Sequence, residues 1–245
     1  MTVYEKIMKM SKPAYFVLID PDKRGVEDSL RLAAAAEKCG VDALLVGSSI
    51  LLDDVLDEYI VSIKKETGIP VIIFPGLLNT ISPNADALLF LSMISSRNPQ
   101  LLIGEQVRAA PYIKKKNIET ISTAYLLIES GNLTSVQYMS NSFPIPSGKP
   151  DIVVAHSLAA EYIGMKLIYL EAGSGAANPV PDEIISRVKD SCILPIIVGG
   201  GITTPQTALQ KAKAGADIIV TGTVLEKDKG TDKMFAIAES IHSLR

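Results

Sequence analysis

Three glycine-rich segments lie at or directly after the end of an apolar run in the last third of this sequence. They are Ala172-Gly173-Ser174-Gly175, Gly199-Gly200-Gly201 and Thr221-Gly222-Thr223. Glycine lets backbone N–H groups come close to an anion, and the N-terminus of a following helix adds a favourable field. The three segments therefore predict a phosphate-binding site. The alternative is that these glycines only form tight turns between strands and helices.

Two carboxylates also follow apolar runs. Asp20 ends the first run, and Ser49 comes after the second. A carboxylate near a hydroxyl suits Mg²⁺, an ion that proteins usually share with substrate phosphates. Alternatively, Asp20 stabilises a loop and Ser49 caps the next helix.

Glu171 ends the sixth run among apolar neighbours, where it can bind substrate hydroxyls or accept a proton from one. The alternative for Glu171 is a buried salt bridge.

The apolar runs that precede these residues predict eight strands. They are rich in Val, Ile and Leu without alternation, as expected for strands that are buried on both faces. They span residues 15–20, 43–47, 71–75, 87–93, 120–128, 167–171, 195–199 and 218–222. Amphipathic segments between them predict helices, so we expect parallel strands with right-handed crossovers. This pattern favours an α/β fold, a (β/α)₈ TIM barrel as one domain over residues 1–245, with an open doubly wound sheet as the alternative.

Three segments depart from the regular alternation. Residues 76–86 are too short for a crossover helix, so we expect a loop in place of the third outer helix. Gly104 and Pro111 predict a kinked or broken helix within residues 99–115. Residues 139–150 are rich in Ser, Pro, Gly and Asn, which predicts a loop before the next helix.

Composition excludes several classes of protein. The 245 residues are 47% hydrophobic and carry a formal net charge of −3, which argues against a disordered chain and against a nucleic-acid-binding protein. The two cysteines form no disulfide framework, and no apolar run approaches the ~20 residues of a membrane helix. We therefore predict a soluble, cytoplasmic protein. His156 and His242 lie away from the strand ends, which argues against a hydrolytic triad.

The segments after the strands together resemble those of the geranylgeranylglyceryl phosphate synthase family. The resemblance extends from Asp20 to Thr223 in the same order along the chain. It rests on Leu18-Ile19-Asp20-Pro21-Asp22-Lys23, Val46-Gly47-Ser48-Ser49, Tyr169-Leu170-Glu171-Ala172-Gly173-Ser174-Gly175, Val198-Gly199-Gly200-Gly201-Ile202 and Val220-Thr221-Gly222-Thr223. The Tyr-Leu-Glu-Ala-Gly-Ser-Gly segment is the most specific of these.

The resemblance implies an activity and a set of site residues. It implies a modified barrel without the third helix, and Mg²⁺-dependent transfer of a prenyl group, such as geranylgeranyl, from its diphosphate to sn-glycerol 1-phosphate. Asp20 and Ser49 match the Mg²⁺ ligands of the family. The positions that match the glycerol-phosphate site are Tyr169, Leu170, Glu171, Ala172, Gly173, Ser174, Gly175, Gly200, Gly201, Gly222 and Thr223. The resemblance also implies a homo-oligomer, either a dimer or a hexamer.

We assign Glu171 and Tyr169 as candidate catalytic residues, with Glu171 as the proton acceptor. The prenyl tail needs an apolar groove, which we expect beside residues 99–115, with Tyr125 as a candidate lining residue. Release of an apolar product makes transient membrane contact a further expectation. Two alternatives remain open: another phosphate-binding barrel synthase or isomerase, and a non-catalytic barrel that binds a phosphorylated ligand.

Overall fold

Eight parallel strands close into a barrel in the part of the chain that the computed structural model describes, which is residues 1–11, 13–23, 25–48, 56–76, 80–225 and 230–245. Each strand pairs with the next, and β8 pairs with β1. The strands are β1 (Ala14–Ile19), β2 (Ala43–Val46), β3 (Val71–Ile73), β4 (Ala87–Ser92), β5 (Thr120–Leu127), β6 (Leu167–Glu171), β7 (Ile196–Gly199) and β8 (Ile218–Thr221). The predicted (β/α)₈ barrel is confirmed.

Helices lie around the barrel and at its two ends. They are α1 (Val3–Lys9), α2 (Val26–Lys38), α3 (Leu56–Glu66), α4 (Glu105–Lys116), α5 (Ser135–Ser140), α6 (Pro150–Ile163), α7 (Asp182–Ser191), α8 (Pro205–Lys213) and α9 (Gly230–His242). A π-helix (Gln100–Gly104) precedes α4, and a 3₁₀ turn (Thr223–Leu225) follows β8. The described residues between β3 and β4, 74–76 and 80–86, contain no helix, as the sequence predicted.

Both faces of the strands are buried, which explains why the apolar runs do not alternate. Phe16 belongs to the cluster that fills the barrel, whereas its neighbours Tyr15 and Val17 pack between the barrel and the helices. Ile7 of α1 joins the inner cluster. The Glu119 carboxylate, directly before β5, accepts hydrogen bonds from the first backbone amides of α1 at 2.7 and 2.8 Å. Helix α1 therefore covers the N-terminal end of the barrel and leaves the other end open.

Two predicted segments differ from the structure. The predicted loop at residues 139–150 is wrong at its start, because Met139 and Ser140 complete the last turn of α5. Helix α4 runs through Pro111, and the irregularity lies upstream, in the π-helix that contains Gly104. A Cβ on Gly104 would lie 2.5 Å from Oε1 of Gln100, so a larger residue there would require the exposed Gln100 side chain to move. In the described parts of the chain, no helix has the length and apolarity needed to span a membrane.

Candidate active site

A cavity of about 310 Å³ opens at the C-terminal ends of the strands, which is where active sites lie in barrels of this kind. Its polar wall is formed by residues that follow β1, β6, β7 and β8, among them Asp20, Gly173, Gly200 and Thr223. The structure thus brings together residues that are distant in the sequence. Their roles in binding and catalysis stay predictions.

Glu171 is the buried acid at the centre of this wall. Only 7% of the surface of this residue is exposed. The backbone amide of Gly173 donates a hydrogen bond to Oε1 at 2.6 Å, and the Tyr169 hydroxyl donates another to the same carboxylate. Burial raises the pKa of Glu171 to about 7, although both hydrogen bonds act in the opposite direction. Near neutral pH the carboxyl group can therefore exist in either protonation state, as a general base or acid requires.

Tyr169 lies within a cluster of three aromatic rings beside Glu171. Its ring centroid is 5.3 Å from that of Phe74 and 5.5 Å from that of Tyr125. Burial and the neighbouring Glu171 carboxylate raise the pKa of the Tyr169 hydroxyl well above its ordinary value. The hydroxyl therefore stays protonated and serves as a hydrogen-bond donor.

The glycine-rich loops after β6 and β7 pack too closely for any side chain on Gly200. A Cβ there would lie 2.5 Å from Oε1 of Glu171 and 2.6 Å from the backbone nitrogen of Gly173. Gly173, Gly200 and Gly201 also have positive φ angles of 100°, 82° and 68°, which favour glycine. The hydroxyl of Ser174 lies 3.1 Å from that of Thr223, so the loop after β8 joins the same group. The three predicted segments thus form one wall of the cavity.

Not every residue of the predicted glycerol-phosphate segment has its side chain at the cavity. Leu170 and Ala172 pack in the layer between barrel and helices. The amide of Ala172 donates to the carbonyl of Gly199 at 3.0 Å, which continues the strand pairing. Gly175, Gly201 and Gly222 line the cavity with Ser174 and Thr223.

Of the two predicted metal ligands, the described part of the structure includes Asp20 and not Ser49. Asp20 lines the cavity, and its Oδ1 accepts a hydrogen bond of 3.1 Å from the amide of Asp22. Ser49 lies outside the described residues, and its neighbour Ser48 lines the cavity. No group of three or more His, Cys, Asp or Glu side chains suitable for a metal is found among the described residues. One carboxylate at a cavity wall fits a Mg²⁺ that is shared with substrate phosphates rather than enclosed by protein.

Lys23 belongs to the first segment that carries the family resemblance, but the sequence predicted no role for it. Its Nζ donates to Oγ of Ser174 at 3.2 Å and lies 3.5 Å from Oδ2 of Asp20. The ammonium group thus connects the loop after β1 with the glycine-rich loop after β6. The sequence places Lys23 three residues after Asp20 but gives no sign of its contact with Ser174, 151 residues further on.

The other end of the cavity is apolar. Leu101 of the π-helix and Val136 of α5 line it together with Leu91, Met93 and Met139. Tyr125 lines the cavity and also packs against Tyr169, so it serves both as lining and as core. The apolar end therefore lies beside the predicted segment 99–115, and it continues directly from the polar wall.

The fold and the cavity define a (β/α)₈-barrel protein with one polar and one apolar half to its site, which is the layout of an enzyme for a phosphorylated, partly apolar substrate. The sequence pattern of the PcrB family matches residues 6–241, and the chain belongs to this family. Because relatives that are 46% and 47% identical over more than nine tenths of the chain are geranylgeranylglyceryl phosphate synthases, it is a transferase of the prenyltransferase class.

Named relatives agree with this membership. The geranylgeranylglyceryl phosphate synthase of Chitinophaga pinensis is 46% identical over 230 residues, which cover 94% of this chain and 90% of the relative. That of Methanosphaera stadtmanae is 47% identical over 229 residues, 93% of each chain. The structure also resembles that of (S)-3-O-geranylgeranylglyceryl phosphate synthase from Thermoplasma acidophilum in complex with sn-glycerol 1-phosphate. The TM-score is 0.95 at 38% identity, and the match covers 99% of both chains.

Proposed function

We propose that this protein transfers a geranylgeranyl group from its diphosphate to the C3 hydroxyl of sn-glycerol 1-phosphate. The observation that carries the proposal is a single cavity in which Glu171 lies between glycine-rich loops and an apolar end. The names of the relatives, and the complex of the Thermoplasma acidophilum enzyme with sn-glycerol 1-phosphate, support the same reaction.

The acceptor phosphate binds to the wall made by the loops after β6, β7 and β8. Backbone amides in glycine-rich loops, followed by helices α7 and α8, suit an anion without a basic side chain. Glu171 and Tyr169 then orient the glycerol hydroxyls at the adjacent part of the cavity. The prenyl chain occupies the apolar end near Leu101 and Val136.

The chemical step joins an alcohol to an allylic carbon. The C3 hydroxyl oxygen forms a bond to C1 of the prenyl group while the bond from C1 to the diphosphate oxygen breaks and leaves its electron pair on the diphosphate. Glu171 accepts the hydroxyl proton, because its raised pKa of about 7 gives the carboxylate enough basicity at neutral pH. The Tyr169 hydroxyl fixes the orientation of that carboxylate through its hydrogen bond.

A magnesium ion is part of the proposal. Asp20 would hold it from the loop after β1, with Ser49 as the second ligand that the resemblance implies. When bound, the ion supplies positive charge that offsets the charge on the leaving diphosphate.

We also propose that the protein acts in the cytoplasm as a dimer or hexamer with transient membrane contact for product release. Exposed apolar side chains support association, since Phe143 is 91% exposed and Tyr138 is 74% exposed. Light scattering of the purified protein, with and without vesicles, measures both associations.

The experiment that tests the reaction is diphosphate release with sn-glycerol 1-phosphate, geranylgeranyl diphosphate and Mg²⁺. We expect release with this acceptor and none with its enantiomer, sn-glycerol 3-phosphate. The absence of release with either acceptor, over a series of prenyl lengths, would exclude the proposed activity. It would leave a phosphate-binding barrel of another kind.

A further inference from the structure

The cavity has an unusual charge balance for a site that receives two phosphorylated substrates. Among the described residues that line it, the acids are Asp20, Glu105 and Glu171, and the only cation is Lys23. Glu105 has an ion-pair partner outside the lining, since Arg108 lies 3.2 Å from its carboxylate, so Asp20 and Glu171 are the acids that Lys23 has to balance. The two substrates add a phosphate monoester and a diphosphate to these carboxylates. Because burying like charges together is unfavourable, the contribution of Lys23 is important.

The position of Lys23 is set by contacts on two sides. Its backbone amide donates to the carbonyl of Asp20 at 3.3 Å, so a turn fixes Lys23 beside the Asp20 carboxylate. Its Nζ lies 3.5 Å from Oδ2 of Asp20 and 3.2 Å from Oγ of Ser174. The ammonium group therefore stands at the boundary between the Asp20 side of the cavity and the glycine-rich loops.

The side chain also remains accessible from the cavity, with 41% of its surface exposed. An ammonium group has three donors on a flexible stem, so it can reorient toward an incoming anion and act on it as a point charge. The acceptor phosphate already has the backbone amides of the loops after β6 to β8. The Asp20 side, in contrast, has a carboxylate as its principal protein charge. A diphosphate there carries more negative charge than one Mg²⁺ on Asp20 offsets, and Lys23 is the protein cation beside it.

We propose that Lys23 binds the diphosphate of the prenyl donor and stabilises the negative charge that this group gains as it leaves. The proposal rests on the proposed function for the identity of the donor. In the transfer step, the bond from C1 to the diphosphate oxygen breaks and its electron pair stays on that oxygen. The ammonium group donates a hydrogen bond to the diphosphate and keeps its own proton, while the proton of the acceptor hydroxyl goes to Glu171.

The test measures binding and turnover in the whole 245-residue chain with four variants. Lys23→Met removes the charge, Lys23→Arg keeps it, and Lys213→Met removes the charge of an exposed lysine on α8 as the matched control. Calorimetry with inorganic diphosphate and saturating Mg²⁺ gives the affinity for the leaving group, and calorimetry with sn-glycerol 1-phosphate gives that for the acceptor. Lys23→Gln provides a second neutral variant should Lys23→Met fold poorly.

We expect Lys23→Met to weaken diphosphate binding by about tenfold or more, which corresponds to about 1.4 kcal/mol. Lys23→Arg should retain most of the affinity, and Lys213→Met all of it. Binding of sn-glycerol 1-phosphate should change by less than about threefold, a difference of about 0.7 kcal/mol. In turnover, kcat should fall as well, because the charge on the diphosphate increases in the transition state.

Three results overturn the assignment. They are unchanged diphosphate affinity in Lys23→Met, an equal or larger loss of affinity for the acceptor, and no binding of diphosphate by the wild type. Failure of the proposed prenyl-transfer reaction would be recognised by a result that differs from all three. A wild type that binds diphosphate in a Lys23-dependent manner but forms no product keeps the diphosphate site and loses the prenyl-transfer reaction.

Discussion

The backbone amide of Gly173 donates a hydrogen bond to the carboxylate of Glu171, with 2.6 Å between nitrogen and Oε1. This contact folds the glycine-rich loop back over the end of β6 and places it against the candidate base. The same folding buries the carboxylate, and burial raises its pKa to about 7. The loop that is proposed to bind the acceptor phosphate therefore also sets the basicity of the group proposed to accept the proton.

Glu171→Gln should lower kcat by about a hundredfold or more, because positioned proton transfer contributes about 10² to 10⁴ in rate. Glutamine can still accept the hydrogen bond from Gly173 but cannot accept a proton. In the wild type, the rate should rise with pH through about 7, since only the ionised carboxylate is a base. The measurement is kcat between pH 5 and 9, with the exposed Glu183→Gln as the control. A wild-type profile that is flat across this range contradicts the assigned role.

Gly200→Ala should raise the KM for sn-glycerol 1-phosphate by at least about tenfold, or about 1.4 kcal/mol. The added methyl group would lie 2.5 Å from Oε1 of Glu171, and the φ angle of 82° is unfavourable for alanine. Both effects displace the loop after β7 from the loop after β6.

Gly148→Ala is the matched control for Gly200→Ala. It adds the same methyl group at an exposed glycine with no atom within 4 Å of the new Cβ. Its KM should equal that of the wild type. Equal values for Gly200→Ala and Gly148→Ala would show that close packing of these loops does not govern acceptor binding.

The sequence was informative about elements whose signals are local. The run at residues 167–171 matches β6 at both ends. A threonine directly before a proline is typical of the first residues of a helix, and Thr204 does cap α8: its hydroxyl accepts a hydrogen bond from the amide of Thr207 at 3.1 Å. Strand β3 is shorter than the apolar run that predicted it, because the pairing with β4 includes only Ile72 and Ile73. The carbonyl of Phe74 lies instead against Gly47, where a Cβ would be 1.7 Å away.

Features that depend on contacts across the barrel were not predictable. The role of Lys23 depends on its meeting with Ser174, and β1 and β6 are not neighbours in the barrel. The raised pKa of Glu171 depends on how completely the surrounding loops exclude water. Helix α4 continues through Pro111, and the irregularity in this segment is a π-helix at residues 100–104, whose type no local signal in the sequence revealed.

Val136→Trp should reduce the use of long prenyl donors more than that of short ones. Val136 lines the apolar end of the cavity, and the larger side chain removes space for the end of the chain. Since burial contributes about 0.8 kcal/mol per CH₂, loss of one isoprene unit from the groove is worth several kcal/mol. The measurement is kcat/KM with donors of two, three and four isoprene units, and Val61→Trp, on the outside of α3, is the control. A loss of kcat/KM that is the same for all three donors would mean that the end of the prenyl chain lies elsewhere in the cavity.

Asp20→Asn should lower turnover by at least about a hundredfold at saturating Mg²⁺, equivalent to about 2.7 kcal/mol of barrier. The amide keeps the size of the side chain but loses the charge that holds a divalent cation. Chelation of metal from the wild type should produce the same loss, and added Mg²⁺ should restore it. Asp22→Asn, an exposed neighbour two residues along, is the control. Near-normal turnover in Asp20→Asn with Mg²⁺ saturating would remove Asp20 from the proposed metal site.

The buried carboxyl group of Glu171 should also make the stability of the protein depend on pH. Its pKa rises from 4.5 to about 7 on folding, so between these values the folded state holds a proton that the unfolded chain has released. The protonated carboxyl group makes its full contribution to the free energy of unfolding below pH 4.5, and this contribution is lost as pH rises through about 7. A shift of this size corresponds to about 3 kcal/mol.

Comparison with Glu171→Gln isolates this contribution, because every other titrating group is common to both proteins. We expect the free energy of unfolding of the wild type, measured in urea and taken relative to the variant, to fall by about 2 to 3 kcal/mol between pH 5 and pH 8. A difference between the two proteins that stays constant over this range would mean that the carboxyl group titrates alike in the folded and unfolded states. The general-base role would then lose its physical basis, because that role depends on the raised pKa.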